Sequence, residues 1–600
     1  MRLCVPRTFT SRCLALSLCL LPAVAPAQTP TQAQTPTQAQ TQTQASAPCT
    51  AAQESADSQP RRRPGVDQPA APEAVICNPG RMPPPPDEPL PEPAAVPDRW
   101  RLVEQLGRPV TFTNPYAAGN PLKGDRPTFG ADGFMNLAVT SNTLFEPRLI
   151  PSTSPLPSLT LPPATVPGAT RTLTRDESFF SQTVSFDALA YRGDTVFRPP
   201  DWQWRFNPVV NYSTTRADGT ATGGGLFAIQ GLSFEKHLRD VSSRYDFDSV
   251  RVGIQPFTSD FRGFLLSDQP LAMRFFGTRD DNVFQYNLAL ISRVPKDRVR
   301  LNDVGRGIPN NQIALGNLYW QDLLVPGVTS EFIVALNRNR AAAPRLLFAA
   351  DGAAEEPAVK AQHDYDVAYL GYGLDGHFGR LNATAMVYGL GGRESRGTFV
   401  DQSTQVRALF AADELSMDFD WRRVRLSMLH SSGDGNPFDR RAQGFDTLTS
   451  GAIFAGSDSS FFFHQRLALA GGIFDLKSRD GLLPSLRAAG NSGDSNFSNP
   501  GLDLLGLGLD LALTPQLTVS LDANQLWFDK TGVLEALLNQ PAIPRRLGAE
   551  ATLDAIWRPF ASQNVILRLS ASQMVRGPGY RAIYGGSNPF SAFALLILNY

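Results

Sequence analysis

Arginines and carboxylates stand at alternate positions in several strand-like stretches of this chain. Arg205 lies between Trp204 and Phe206, Arg251 between Val250 and Val252, Arg274 between Met273 and Phe275, Arg407 between Val406 and Ala408, and Arg425 between Val424 and Leu426. Late in the chain Asp510, Asp522, Glu550 and Asp554 are each flanked by Leu or Ala in the same way. A guanidinium is a planar fork of N–H donors that fits carboxylate and phosphate groups. An acidic wall opposite an arginine wall sets up a transverse field that orients a polar solute. The chemistry expected is therefore recognition and passage of polar, anionic or sugar-like solutes, with these nine residues lining a channel. A second reading stays open, in which the same charges pair across the interior and stabilise it.

Covalent chemistry finds less support. The histidines are His237, His363, His377, His430 and His464, and none has a catalytic spacing. His430 stands beside Ser431, Ser432 and Asp434, but triads assemble in space, and adjacency in sequence usually marks a loop. Asp434, Asn436, Asp439 and Asp446 offer oxygen ligands in one stretch without the glycine and bidentate glutamate of an EF-hand. No catalytic residue, metal site or cofactor is assigned. A net charge of -1 from 55 basic and 56 acidic residues speaks against nucleic acid as a partner.

The elements that must position the charged residues are strands. From about residue 130 the pattern has period two: Trp204, Phe206, Val210 and Tyr212 oppose Arg205, Asn207, Asn211 and Ser213, and Leu505 to Leu513 in steps of two oppose Gly506, Gly508, Asp510 and Ala512. No later stretch approaches the roughly 18 apolar residues of a membrane helix. The segments run to about ten residues, the length a tilted membrane strand needs. Thr514-Pro515 is a tight turn, whereas 293–311, 338–365 and 475–500 are long polar connections, and such asymmetry marks an outer-membrane barrel. Tyr191, Trp202, Tyr319, Trp320, Trp421, Trp527 and Trp557 suit the interfacial aromatic girdles. The fold expected is all-β, a large antiparallel transmembrane barrel of about 18 strands, within a range of roughly 16 to 20. A barrel of that size encloses an aqueous lumen.

The rest of the chain divides by composition. Residues 1–27 form a signal peptide, with Arg2, Arg7 and Arg12 before an apolar run and cleavage before Gln28. Residues 28–98, rich in Gln, Thr and Pro and carrying Arg61-Arg62-Arg63, hold too little apolar surface to fold and form a disordered periplasmic segment able to meet a partner there. Cys49 and Cys77 are the only cysteines left after cleavage; they form one disulfide or remain two free thiols. Residues 99–130 form a short periplasmic helix or turn segment, with Trp100, Val103 and Leu106 at helical spacing, and 131–600 is the barrel.

Two blocks carry a resemblance. Val250 through Phe264, with Gly253-Ile254-Gln255 followed by Asp260 and Arg262-Gly263, resembles segments of porin-type barrels. Ser431-Ser432-Gly433-Asp434-Gly435-Asn436-Pro437-Phe438-Asp439, with Gly444-Phe445-Asp446 after it, is similar to the alginate-export type of outer-membrane barrel. From about residue 99 the chain looks like a broader group of proteobacterial barrel proteins. The apolar terminal strand with Leu596, Leu598 and Tyr600 resembles the signal read by the barrel-insertion machinery. The resemblance implies a porin-like or export-port channel in the outer membrane of a Gram-negative bacterium, with outer-membrane lipid and the insertion machinery as partners and the oligomeric state open. A non-conducting barrel serving as an assembly or interaction platform is the alternative, and a hydrolase on the barrel rim ranks behind it.

Overall fold

A computed structural model describes the chain from residue 119 onward, with a few isolated positions before it, and leaves out 152–171, 194–198, 348–358, 461–494 and shorter stretches. The signal peptide, the 28–98 segment, Cys49, Cys77 and most of 99–118 lie outside the described residues.

The alternating segments form strands that pair with their sequence neighbours. They are β1 (Gly133–Pro151), β2 (Thr172–Arg192), β3 (Trp202–Ala217), β4 (Thr220–Asp240), β5 (Phe247–Ile254), β6 (Leu271–Arg279), β7 (Phe284–Ser292), β8 (Asn311–Gln321) and β9 (Val328–Asn339). The second half holds β10 (Tyr365–Phe378), β11 (Leu381–Glu394), β12 (Thr404–Phe419), β13 (Arg422–Ser431), β14 (Leu502–Thr514), β15 (Leu517–Trp527), β16 (Arg546–Trp557), β17 (Val565–Arg576) and β18 (Phe590–Asn599). Every barrel pairing is antiparallel, and β18 returns to β1 with Leu144 opposite Leu595 and Phe145 opposite Ala594. The result is a closed barrel of 18 strands, which leaves no unpaired edge around the ring.

One rim carries the tight turns at 379–380, 420–421 and 515–516. This is the near rim. Asp280, Asp281 and Asn282 all take φ between 56° and 69° in the β6–β7 turn, a conformation that short polar side chains tolerate best after glycine. The far rim carries the long connections at 255–270, 293–310 and 432–501. A bulge at Asn207/Pro208 accommodates a proline within β3, where it has no N–H to give to the ladder.

Burial follows the period-two pattern. Phe206, Tyr212, Leu288, Leu290, Leu336, Leu370, Leu507 and Leu569 are large, apolar and exposed on the outer face, a band suited to lipid. Asn207, Asn211, Asn287, Asn317, Glu331, Asp522, Glu550 and Asp554 are buried on the inner face. Trp320 and Trp557 lie toward the near-rim ends of their strands and Trp421 in the near-rim turn at 420–421, but Tyr319 faces inward, where its hydroxyl accepts from Asn317 Nδ2 at 3.2 Å. Tyr191 also turns inward and stacks on Phe134, so neither tyrosine belongs to an outer girdle.

Candidate functional site: a charged vestibule beneath inward loops

The lumen is not an empty tube. Residues 255–270 fold inward from the far rim around Asp260, which is 2% exposed. Asp260 Oδ1 accepts from the N–H groups of Arg262 and Phe264, and Oδ2 from Leu265 N–H and the Tyr388 hydroxyl on β11. The loop is tied to the wall by Asn317 Nδ2, donating to Ser259 O at 2.9 Å, and by Arg262, paired with Glu414 at 2.8 Å. Behind it, buried Lys296 and Asp268 form an ion pair. Burial works against ionisation of Asp268, yet the Lys296 charge and a bond from Gln269 N–H hold its carboxyl below the usual carboxylate range.

The described parts of the 432–501 connection also enter the barrel. Phe445 stacks on Phe410 at 5.1 Å, Phe264 meets Phe410 at 5.2 Å and Phe454 at 5.3 Å, and Tyr365 meets Phe497 edge-on. Leu266 bridges to Thr449, joining the two loops. The far half of the lumen, beside β10 to β14, therefore holds an apolar core where the sequence suggested open water.

Under these loops, toward the near rim, lies a vestibule of about 560 Å³. Its roof is Arg262 and Phe454 to Gly456, and its walls come from β10 to β17. Arg425 is its most engaged side chain. Nε and Nη2 donate to the two oxygens of Asp510 at 2.8 and 2.9 Å, Nη2 also reaches Asp522 at 2.9 Å, and Nη1 lies 3.7 Å from Glu414. Arg568 pairs with Asp554 at 3.0 Å, and Arg423 with Asp418. The vestibule is a lattice of compensated charges: a guanidinium satisfied by carboxylates keeps few free donors, and the remaining lone pairs plus Asn382, Thr384 and Ser416 supply acceptors and hydroxyls.

The nine charged residues proposed from sequence divide accordingly. Arg425, Asp510, Asp522 and Asp554 come together in the vestibule. Glu550 is inward but sits higher, accepting from Ser460 and Asn524. Arg205 pairs with Asp187 and Arg251 with Glu235 on the opposite wall. Arg274 differs: its Nε donates to Asn287, its guanidinium lies 4.4 Å from the Phe276 ring, and it makes no ion pair among the described residues. Arg407 is a correction. It is exposed on the outer face with Leu409, because Val406 and Phe410 on either side of it turn inward onto the loops. Sequence reading missed Asp260, Arg262, Tyr388 and Glu414, although Asp260 and Arg262 stand in one of the two resemblance blocks.

The Ser-His-Asp collection does not assemble. His430 faces outward and its Nδ1 lies 2.7 Å from Asp503 Oδ1, while neighbouring Ser431 is buried on the inner side. His430, Asp503 and Asp529 do bring potential ligand atoms within 4.8 Å of one another. Arg545 already supplies a cation there, 2.9 Å from Asp503 and 3.6 Å from Asp529. The oxygens of the 434–446 stretch serve local turns: Asp434 accepts from Asn436 N–H, Asn436 from Phe438 N–H and Asp439 from Arg441 N–H.

No protein-family model and no curated protein sequence matches the chain. Solved structures do resemble it in outline. A BenF-like porin from Pseudomonas fluorescens Pf-5 is 11% identical with a TM-score of 0.42, over 78% of this chain and 98% of that one. Pseudomonas aeruginosa OccK5 (OpdH) is 8% identical with a TM-score of 0.41, over 78% and 97%. Acinetobacter baumannii OccAB3 is 10% identical with a TM-score of 0.41, over 78% and 99%. At such values the function has to be read from the chain's own residues.

The terminal strand closes the seam. Tyr600 exchanges both backbone hydrogen bonds with Val139, and Lys123 Nζ lies 4.3 Å from the Tyr600 ring centre. Leu596 and Leu598 lie on the outer face of β18, with Leu598 the more exposed.

Proposed function

We propose that this protein is an outer-membrane channel of a Gram-negative bacterium that passes small polar solutes, anionic or sugar-like, past the inward loops. The observation that carries this reading is the vestibule of about 560 Å³, walled by side chains that hydrogen-bond and roofed by folded loops, inside a barrel whose outer face is apolar. Compensated guanidiniums favour solutes that exchange hydrogen bonds, as sugars do, over strong anion capture. Arg274, without an acidic partner among the described residues, is the place where a carboxylate group is expected to dwell.

The test is single-channel conductance of the refolded mature protein in a planar bilayer, with selectivity from the reversal potential under a salt gradient. Discrete openings support the channel. The aromatic packing of Phe264, Phe410 and Phe445 across part of the lumen favours one other reading, a non-conducting barrel that serves as an interaction platform. Silence from a folded, inserted protein would select it.

A further inference from the structure

We infer that the far-rim outer wall over β11 and β12 binds the phosphate of a membrane lipid. Three arginines occupy neighbouring register positions there around Gln405. Arg393 stands opposite Gln405 across the β11–β12 ladder, Arg441 stands opposite it on the other side, and Arg407 follows two residues along the same face of β12. All three side chains are exposed, and none makes an ion pair among the described residues. Asp366 stands opposite Arg393 across the β10–β11 ladder but is paired with Arg340, and Asp439 Oδ1 accepts from the Arg441 backbone.

Three exposed arginines at diagonal positions of one face add up to a local positive potential that favours an anion. Guanidinium forks match phosphate oxygens in geometry as well as charge. What lies below the three arginines selects a lipid. Gly391 and Gly389 continue the outer face of β11, and nothing stands within 4 Å of where their Cβ atoms would be. Exposed Leu370, Val387 and Leu409 border that open floor. A phosphate held at the rim thus has a shallow apolar bed directly beneath it, toward the centre of the lipid-facing band. The charges lie outside the barrel and do not take part in the vestibule. The assignment depends on the barrel sitting in a membrane and is independent of whether it conducts.

The test titrates the detergent-solubilised full chain with bis-phosphorylated lipid A or its dephosphorylated form and follows bound lipid by native mass spectrometry. Retention of the phosphorylated lipid is expected to fall about fivefold in Arg407→Gln and on the order of a hundredfold in the triple Arg393→Gln, Arg407→Gln, Arg441→Gln variant. Lys236→Gln, an exposed residue of β4, should retain lipid like the parent. Heat-dependent gel mobility checks that each variant is a folded barrel, and conductance should be unchanged in all of them. Equal retention by the folded triple variant, equal retention of dephosphorylated lipid, or full displacement by inorganic phosphate would each overturn the inference.

Discussion

The Tyr388 hydroxyl donates to Asp260 Oδ2 at 2.9 Å, joining the wall of the barrel at β11 to a loop separated from it by 128 positions. That carboxylate also gathers the backbone N–H groups of Arg262, Phe264 and Leu265, so this bond anchors the centre of the inward turn, beside the ties from Asn317 to Ser259 O and from Arg262 to Glu414. Tyr388→Phe removes a donor from a buried acceptor and should destabilise the loop by about 1–3 kcal/mol. Larger, noisier single-channel currents with the barrel still folded are the expected result; unchanged currents would mean that the loop does not limit the pore.

Arg425 holds Asp510, Asp522 and Glu414 together. Arg425→Gln leaves three carboxylates facing one another, and breaking a buried ion pair by removing one partner costs roughly 3–5 kcal/mol. A lower melting temperature and a reversal potential shifted toward cations are expected. Arg425→Lys should rescue the charge but not the bidentate geometry, and so recover selectivity more than stability.

Arg274 is the inner-face arginine of the proposed set without a carboxylate partner among the described residues. Arg274→Gln should lower anion preference while leaving the melting temperature close to the parent's. A selectivity unchanged by this substitution would remove Arg274 from the permeation path.

Burial pushes the carboxyl of Asp434, in the 432–501 connection, up to about 7, and Oδ2 is buried without a hydrogen bond. The unfolded chain ionises near the ordinary 3.8. The folded state therefore binds the proton more tightly, and this group's contribution to stability is fully present below about pH 4 and is lost as pH rises from about 4 to about 7. Asp434→Asn should flatten that decline and raise the melting temperature above pH 7. Melting curves across pH 4 to 8 provide the check.

Val139 and Tyr600 exchange two backbone hydrogen bonds at the seam. Removing Tyr600 deletes them and the ring under Lys123, and insertion yield into vesicles by purified insertion machinery should fall. Tyr600→Phe, which keeps the ring and the backbone, should insert nearly as the parent does.

The sequence by itself determined the architecture. A barrel of about 18 strands and the outward run of Leu505, Leu507 and Leu513 follow from period two, because one face meets lipid and the other polar surroundings, and Thr514-Pro515 marks the tight turn between two of them. It also placed Arg205, Arg251, Arg274 and Arg425 on the inner face, since each stands between residues that face outward. The tertiary structure decided what fills the barrel. Tyr388, Phe410 and Phe445 join strands and loops far apart in the chain, and no local pattern records such a contact. The same contacts explain why Arg407 was misplaced: where inward loops pack on the wall, Val406 and Phe410 become apolar on the inner face, the contrast between the two faces disappears, and the phase of the alternation can no longer be read.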